Sequence, residues 1–155
     1  MVLNYSIYSI PVYWFMTLAP HSYGLLIIKK ANNGYWDNRN PRGVGVVAMY
    51  KKSVPALTFA KFEKAEAAHK NGMENAPLFI GAIILANMAN LDPNTLNTVT
   101  GTYLLLRLAY TITYIKVTKN KYSYLRTGLW LSSTILLIYL ITKAGNVLAY
   151  RTELS

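Results

Sequence analysis

No lysine, arginine, aspartate or glutamate occurs between Met1 and Ile28, and none occurs between Thr127 and Thr142. About 20 helical residues cross the hydrocarbon core of a bilayer, so uncharged runs of this kind predict membrane spans. The second run is slightly short by that measure. Residues 147–149 extend it past Lys143, whose aliphatic stem lets its ammonium snorkel. The first run exceeds the ~7–15-residue apolar core of a secretory signal and lacks a basic leader and a clear small-residue cleavage site, which predicts a retained helix. With 53% hydrophobic and only 14% charged residues, the chain is too apolar for an ordinary soluble domain. Its 155 residues are expected to form one domain, 1–155.

Four spans are predicted, roughly 5–28, 56–90, 94–117 and 124–148, giving an all-α membrane protein built as a four-transmembrane-helix bundle. Pro11 and Pro20 fall inside the first, where each removes a backbone hydrogen bond. The region of Tyr8, Tyr13 and Trp14 suits an interfacial or lipid-facing surface. The first connection carries Lys29, Lys30, Arg39, Arg42, Lys51, Lys52 and Lys61 against Asp37 alone. It is also rich in Gly, Asn and Pro, so it reads as a long loop. The second, at Asp92 and Pro93, is short and has no basic residue. The third carries Lys116, Lys119, Lys121 and Arg126. Positive residues favour the cytoplasmic side, which places loops 29–55 and 116–126 in the cytoplasm and both termini opposite.

The net charge is +10, yet the basic residues cluster between apolar blocks and no fingerprint of a nucleic-acid module accompanies them, so no nucleic-acid partner is expected. The chain has no cysteine. Disulfides, thiolate metal sites and a cysteine nucleophile are thereby excluded, and no metal site is expected.

The second helix is unusual because its first half is polar and its second half, after Pro77, is apolar. Lys70, Asn71 and Glu74 fall within i, i+3 and i+4 and share a face, which Ala67 and Asn75 extend. A carboxylate, an amide and an ammonium on one face suit a zwitterionic ligand. The plainer reading is a solvated half-helix projecting into the cytoplasm. His69 reads as a structural hydrogen-bonding group. On the third helix Arg107, Tyr110 and Tyr114 lie at i, i+3 and i+7, again one face. An arginine this deep in a span requires an acidic partner or a ligand. Glu74 is the natural intramolecular candidate, and an Arg107–Glu74 ion pair locking two helices together is the competing structural account.

The segment Ala68-His-Lys-Asn-Gly-Met-Glu-Asn75 resembles a signature of the membrane-associated proteins in eicosanoid and glutathione metabolism, the MAPEG family. Arg107-Leu-Ala-Tyr-Thr-Ile-Thr-Tyr114 is similar to that family's second signature, and Leu125-Arg-Thr127 to its third. The resemblance covers helices two to four. It implies a homotrimer with glutathione, a co-substrate, bound between neighbouring subunits near the cytoplasmic face. Lys70, Asn71 and Glu74 would contact glutathione from the second helix, and Arg107, Tyr110 and Tyr114 from the third. Arg126 would be the catalytic group that holds the thiolate, with Thr127 beside it. Lys29 matches a basic position of the family loosely. Several members carry arginine where this chain has Ala67, and Lys64 or Lys70 are the candidates to replace it.

The implied activity is that of a glutathione transferase or peroxidase acting on a lipophilic electrophile or lipid hydroperoxide that arrives through membrane lipid. The endoplasmic reticulum is the expected membrane, with the mitochondrial outer membrane as the alternative. A competing class is a non-catalytic scaffold or regulatory protein of the same fold, its pocket vestigial or lipid-binding. A transporter is a third class, although nothing in the chain resembles a selectivity filter.

Overall fold

The computed structural model describes residues 2–118 and 122–152, the last two without their side chains. Lys119 and Lys121 of the third basic connection lie outside the described residues, as does the end of the chain. A 3-10 turn at Ser6–Tyr8 leads into α1 (Ser9–Ala31), followed by α2 (Val44–Ser53), α3 (Ala56–Met88), α4 (Pro93–Lys116) and α5 (Ser123–Thr152). The described residues contain no strand. By length and apolarity, Ser123–Tyr150 is the helix among them that qualifies as a membrane span. The four long helices overlap in sequence the residue ranges 5–28, 56–90, 94–117 and 124–148. α2 is new: it occupies the stretch read as a loop.

Pro11 sits in the first turn of α1, where its missing N–H would have had no helical partner. Pro20 and Pro77 lie inside their helices. The α3–α4 turn follows from local chemistry. Asn90 adopts φ 53°, the left-handed conformation that closes many helices, and Leu91 N–H donates to the Ala86 carbonyl at 3.1 Å. Asp92 then caps α4, accepting from Thr95 N–H at 3.0 Å, and Pro93 fills the first helical position, which needs no donor.

The N-terminal segment is tied to that same end of the molecule. Asn97 Oδ1 accepts from Tyr5 N–H at 2.8 Å and its amide donates to the Leu3 carbonyl at 2.7 Å. Asn4 Nδ2 donates to Asn87 Oδ1 at 2.7 Å.

α3 packs against α1, α4 and α5. It can do so because Ala65, Ala68, Gly72, Ala76, Ala82 and Ala86 form its buried surface together with a few large residues, and small side chains let helix backbones approach closely. The approach is close at Gly72, where an added Cβ would lie 2.8 Å from Thr17 Cγ2. Tyr13 donates from its hydroxyl to the Gly72 carbonyl at 2.8 Å, and its ring lies 4.7 Å from that of Phe79, which stacks on Tyr103 at 4.4 Å. Tyr13 therefore belongs to the core at 2% exposure, whereas Tyr8 and Trp14 are exposed. The lipid-facing assignment of Tyr13 is thus corrected: its hydroxyl has a partner inside the protein. Lys143 on α5 lies over the Tyr139 ring at 5.7 Å, a polar group held against an apolar helix by its own neighbour.

Candidate functional site

Asn71 and Arg107 meet between α3 and α4. Arg107 is only 2% exposed, and its Nη2 donates to Asn71 Oδ1 at 2.7 Å. Asn75, one turn along α3, donates to the Asn71 backbone carbonyl at 2.8 Å and reaches Asn71 Oδ1, the atom that receives the guanidinium, at 3.4 Å. The Arg107 guanidinium carbon lies 4.6 Å from the centre of the Tyr110 ring. Tyr110 meets Tyr114 edge-on at 5.7 Å. Arg126, at the start of α5, lies 4.3 Å above the Tyr114 ring. Two cations thus enclose a pair of touching aromatic rings in a row that runs from the interior of the bundle to its rim. Each cation–aromatic contact contributes about 0.5–2 kcal/mol depending on desolvation. Arg107 Nε and Nη1 are buried and make no hydrogen bond among the described residues.

The Arg107–Glu74 ion pair is not formed. Glu74 points outward and pairs with Lys70 at 3.9 Å, their side chains 59% and 79% exposed. The α3 face is therefore divided. Asn71 turns toward α4, and Lys70 and Glu74 turn to the outside. Arg126 is half-buried and Thr127 exposed. Of the eight residues singled out in the sequence, five (Asn71, Arg107, Tyr110, Tyr114 and Arg126) form one contiguous set, Lys70 and Glu74 stand beside it as an exposed pair, and Thr127 sits at the rim.

A second polar cluster escaped the sequence reading. His21 Nδ1, on α1, lies 2.6 Å from Glu66 Oε1, and Arg42 Nε lies 3.4 Å from Glu66 Oε2. His69 is buried and its Nδ1 donates to the Thr17 carbonyl at 2.7 Å, in keeping with a structural role, and its ring is 5.3 Å from that of His21. Arg42, Glu66 and His69 border an open cavity of about 490 Å³, lined also by Phe62, Ala67 and Lys70 among others. Of the two lysines named as replacements for an arginine at Ala67, Lys64 is engaged elsewhere and Lys70 reaches the cavity. Lys64 Nζ donates to the Val117 carbonyl, and Lys70 pairs with Glu74. The cation that reaches the cavity beside Ala67 is Arg42, together with Lys70. No periodicity along the chain signals this, because Arg42 comes from an irregular segment.

Outside the spans, Arg39 holds Asp37 through Nε–Oδ1 and Nη2–Oδ2 contacts of 3.1 and 2.9 Å. The hydrogen bonds from Arg39 hold the Asp37 carboxyl below its ordinary range. Burial pushes the Tyr50 phenol above its usual value.

The MAPEG family model matches residues 11–146. No curated protein and no solved structure matches the chain. With the match running from the first turn of α1 through most of α5, the chain belongs to the MAPEG family and is a membrane protein.

Proposed function

We propose that the chain is a glutathione-dependent transferase or peroxidase of the membrane type, acting on a lipophilic electrophile or lipid hydroperoxide. The observation that carries this reading is the buried Arg107, fixed to Asn71 at 2.7 Å with its Nε and Nη1 nitrogens without a hydrogen-bond partner among the described residues. Donors left unpaired in a desolvated place are costly in a purely structural arrangement and are what an anionic ligand requires. The α1, α3, α4 and α5 helices are the four spans of this proposal, and the subunit assembles as a homotrimer. Lys70 and Glu74, exposed on one subunit, then face the neighbouring one. The membrane is the endoplasmic reticulum, with loops 29–55 and 116–126 cytoplasmic.

Glutathione carries carboxylates, an ammonium and a thiol. Glu74 offers a carboxylate to the ammonium, and Lys70 a cation to a carboxylate. Arg107, Tyr110 and Tyr114 form the wall. Free thiols titrate near 8.5, so only a small fraction is thiolate at neutral pH. Arg126, half-buried and backed by the Tyr114 ring, favours the charged sulfur through its permanent positive charge. One activated thiolate serves both attack on an electrophilic carbon and reduction of a hydroperoxide.

The test is difference absorbance at the thiolate band as detergent-purified protein is titrated with glutathione, with Arg126→Ala alongside. A saturable signal in the wild type that is lost in the variant, while calorimetry still shows the variant binding, supports the assignment. Absence of binding by the wild type removes the reading and favours the scaffold class.

A further inference from the structure

We infer that α2 and the first turns of α3 form a docking face for an anionic lipid surface. This rests on the chain spanning the membrane, and not on glutathione. α2 is firmly seated on its inner side. Tyr50 is fully buried, its ring stacks on Trp36 at 5.2 Å, and its hydroxyl accepts from Asp37 N–H at 2.8 Å. Ile28, at the end of α1, and Phe59 and Phe62, on α3, complete that cluster.

The outer side is not built for water. Val44 is 89% exposed and Leu57 81%. Between them the outward face of α2 presents Gly45, Ala48, Met49, Lys52 and Ser53. A helix with apolar residues on both faces needs an apolar environment on both.

The position of this face follows from lengths. The 33 residues of α3 span about 50 Å at 1.5 Å per residue, against about 30 Å of hydrocarbon. The excess lies at the N-terminal end. Lys64 reaches the carbonyl of Val117, just past the last residue of α4, so the turns of α3 before Lys64 stand beyond that helix. α1 ends at the same level, since Ile28 packs in one cluster with Phe59 and Phe62. α2 therefore lies across the ends of the spans, where headgroups begin.

The charges select the lipid. Lys29, Lys30, Lys51, Lys52 and Lys61 are all exposed at this end. Of the acids between residues 29 and 70, Asp37 is held by Arg39 and Glu66 by His21 and Arg42, leaving Glu63. Apolar side chains flanked by uncompensated lysines are the pattern of a helix lying in an interface, attracted to anionic headgroups.

The absence of cysteine makes the test direct. Val44→Cys and Leu57→Cys are labelled singly with an environment-sensitive fluorophore, with Asn38→Cys as the aqueous reference and Ile138→Cys on α5 as the lipid reference. The full chain is placed in nanodiscs of phosphatidylcholine, with or without phosphatidylserine. We expect labels at 44 and 57 to be quenched by lipid-borne spin label and to be several-fold less accessible to iodide than the label at 38. Protection should increase with phosphatidylserine, and Lys51→Glu with Lys52→Glu should abolish that increase while the label at 138 stays unchanged. Labels as open to iodide as position 38 overturn the proposal. So does shielding from both quenchers, which would mean a protein surface covers the face. Protection indifferent to phosphatidylserine overturns the anionic preference. An iodide-accessible label at 138 would instead remove the membrane placement on which the proposal depends.

Discussion

Arg107 on α4 donates to Asn71 on α3 across 2.7 Å, and through this bond a permanently charged side chain at 2% exposure is held by a neutral amide. Asn71→Ala removes that acceptor and leaves the guanidinium buried against its Tyr110 face. Hydrogen bonds to charged groups contribute about 1.5–3 kcal/mol, so thermal unfolding in detergent should show a loss of that size. Arg107→Met in the same background removes the stranded charge and should recover part of the loss. An Asn71→Ala protein that melts with the wild type would dissolve the argument.

Lys70 and Glu74 form the opposite case. Their 3.9 Å pair is mostly solvated, and such pairs contribute at most about 1 kcal/mol. Glu74→Gln should therefore leave the unfolding temperature nearly unchanged. Under the proposed function it should weaken glutathione binding about tenfold, as expected for losing one charged contact of ~1.4 kcal/mol. Calorimetry on the folded variant separates the two effects, and a variant that unfolds readily yet binds normally when folded would assign Glu74 a structural task instead.

Gly72→Ala tests the α1–α3 approach. A Cβ there meets Thr17 Cγ2 at 2.8 Å and Thr17 Cβ at 3.0 Å. Overpacking of this kind costs about 1–3 kcal/mol. Thr17→Ser deletes the nearer methyl while keeping a hydroxyl, so the double variant should regain stability relative to Gly72→Ala alone. Equal melting of the single and double variants would show that the helices simply move apart.

The seat of α2 should depend on alkali. Burial raises the pKa of Tyr50, so its neutral form is favoured in the fold. The stability this contributes is complete below the unfolded tyrosine value of about 10 and declines as pH rises through the higher folded value. Trp36 stacks on this ring, so its emission should change in that alkaline window. Tyr50→Phe should abolish the window at a cost of about 1 kcal/mol, from the Asp37 N–H left without its acceptor. An unchanged alkaline transition in Tyr50→Phe would assign the titration to another group.

Helix ends were legible where local chemistry decides them, as at Asp92-Pro93, and the four long helices fall close to the predicted ranges. α2 was not legible because Gly43-Val-Gly-Val-Val has poor helix propensity and follows Pro41. What stabilises it is the burial of Tyr50 against residues distant in sequence, which no local pattern carries. The α4 face was readable from spacing alone, but its partner was not. Charge logic points Arg107 to Glu74, whereas the fold turns Asn71 inward and Glu74 out. The His21–Glu66–Arg42 cluster joins three separate segments and has no signature along the chain.

The hub position of α3 bears on the third class considered, a transporter. Its buried surface of five alanines and Gly72 lets it contact each of the other long helices, so among the described residues the middle of the subunit is filled by packed helices and the stacked Tyr13, Phe79 and Tyr103 rings. A solute could not travel lengthwise through such a subunit without displacing a helix. Any continuous aqueous route would have to run along a seam between copies, and ion flux through isolated subunits in proteoliposomes should accordingly be absent.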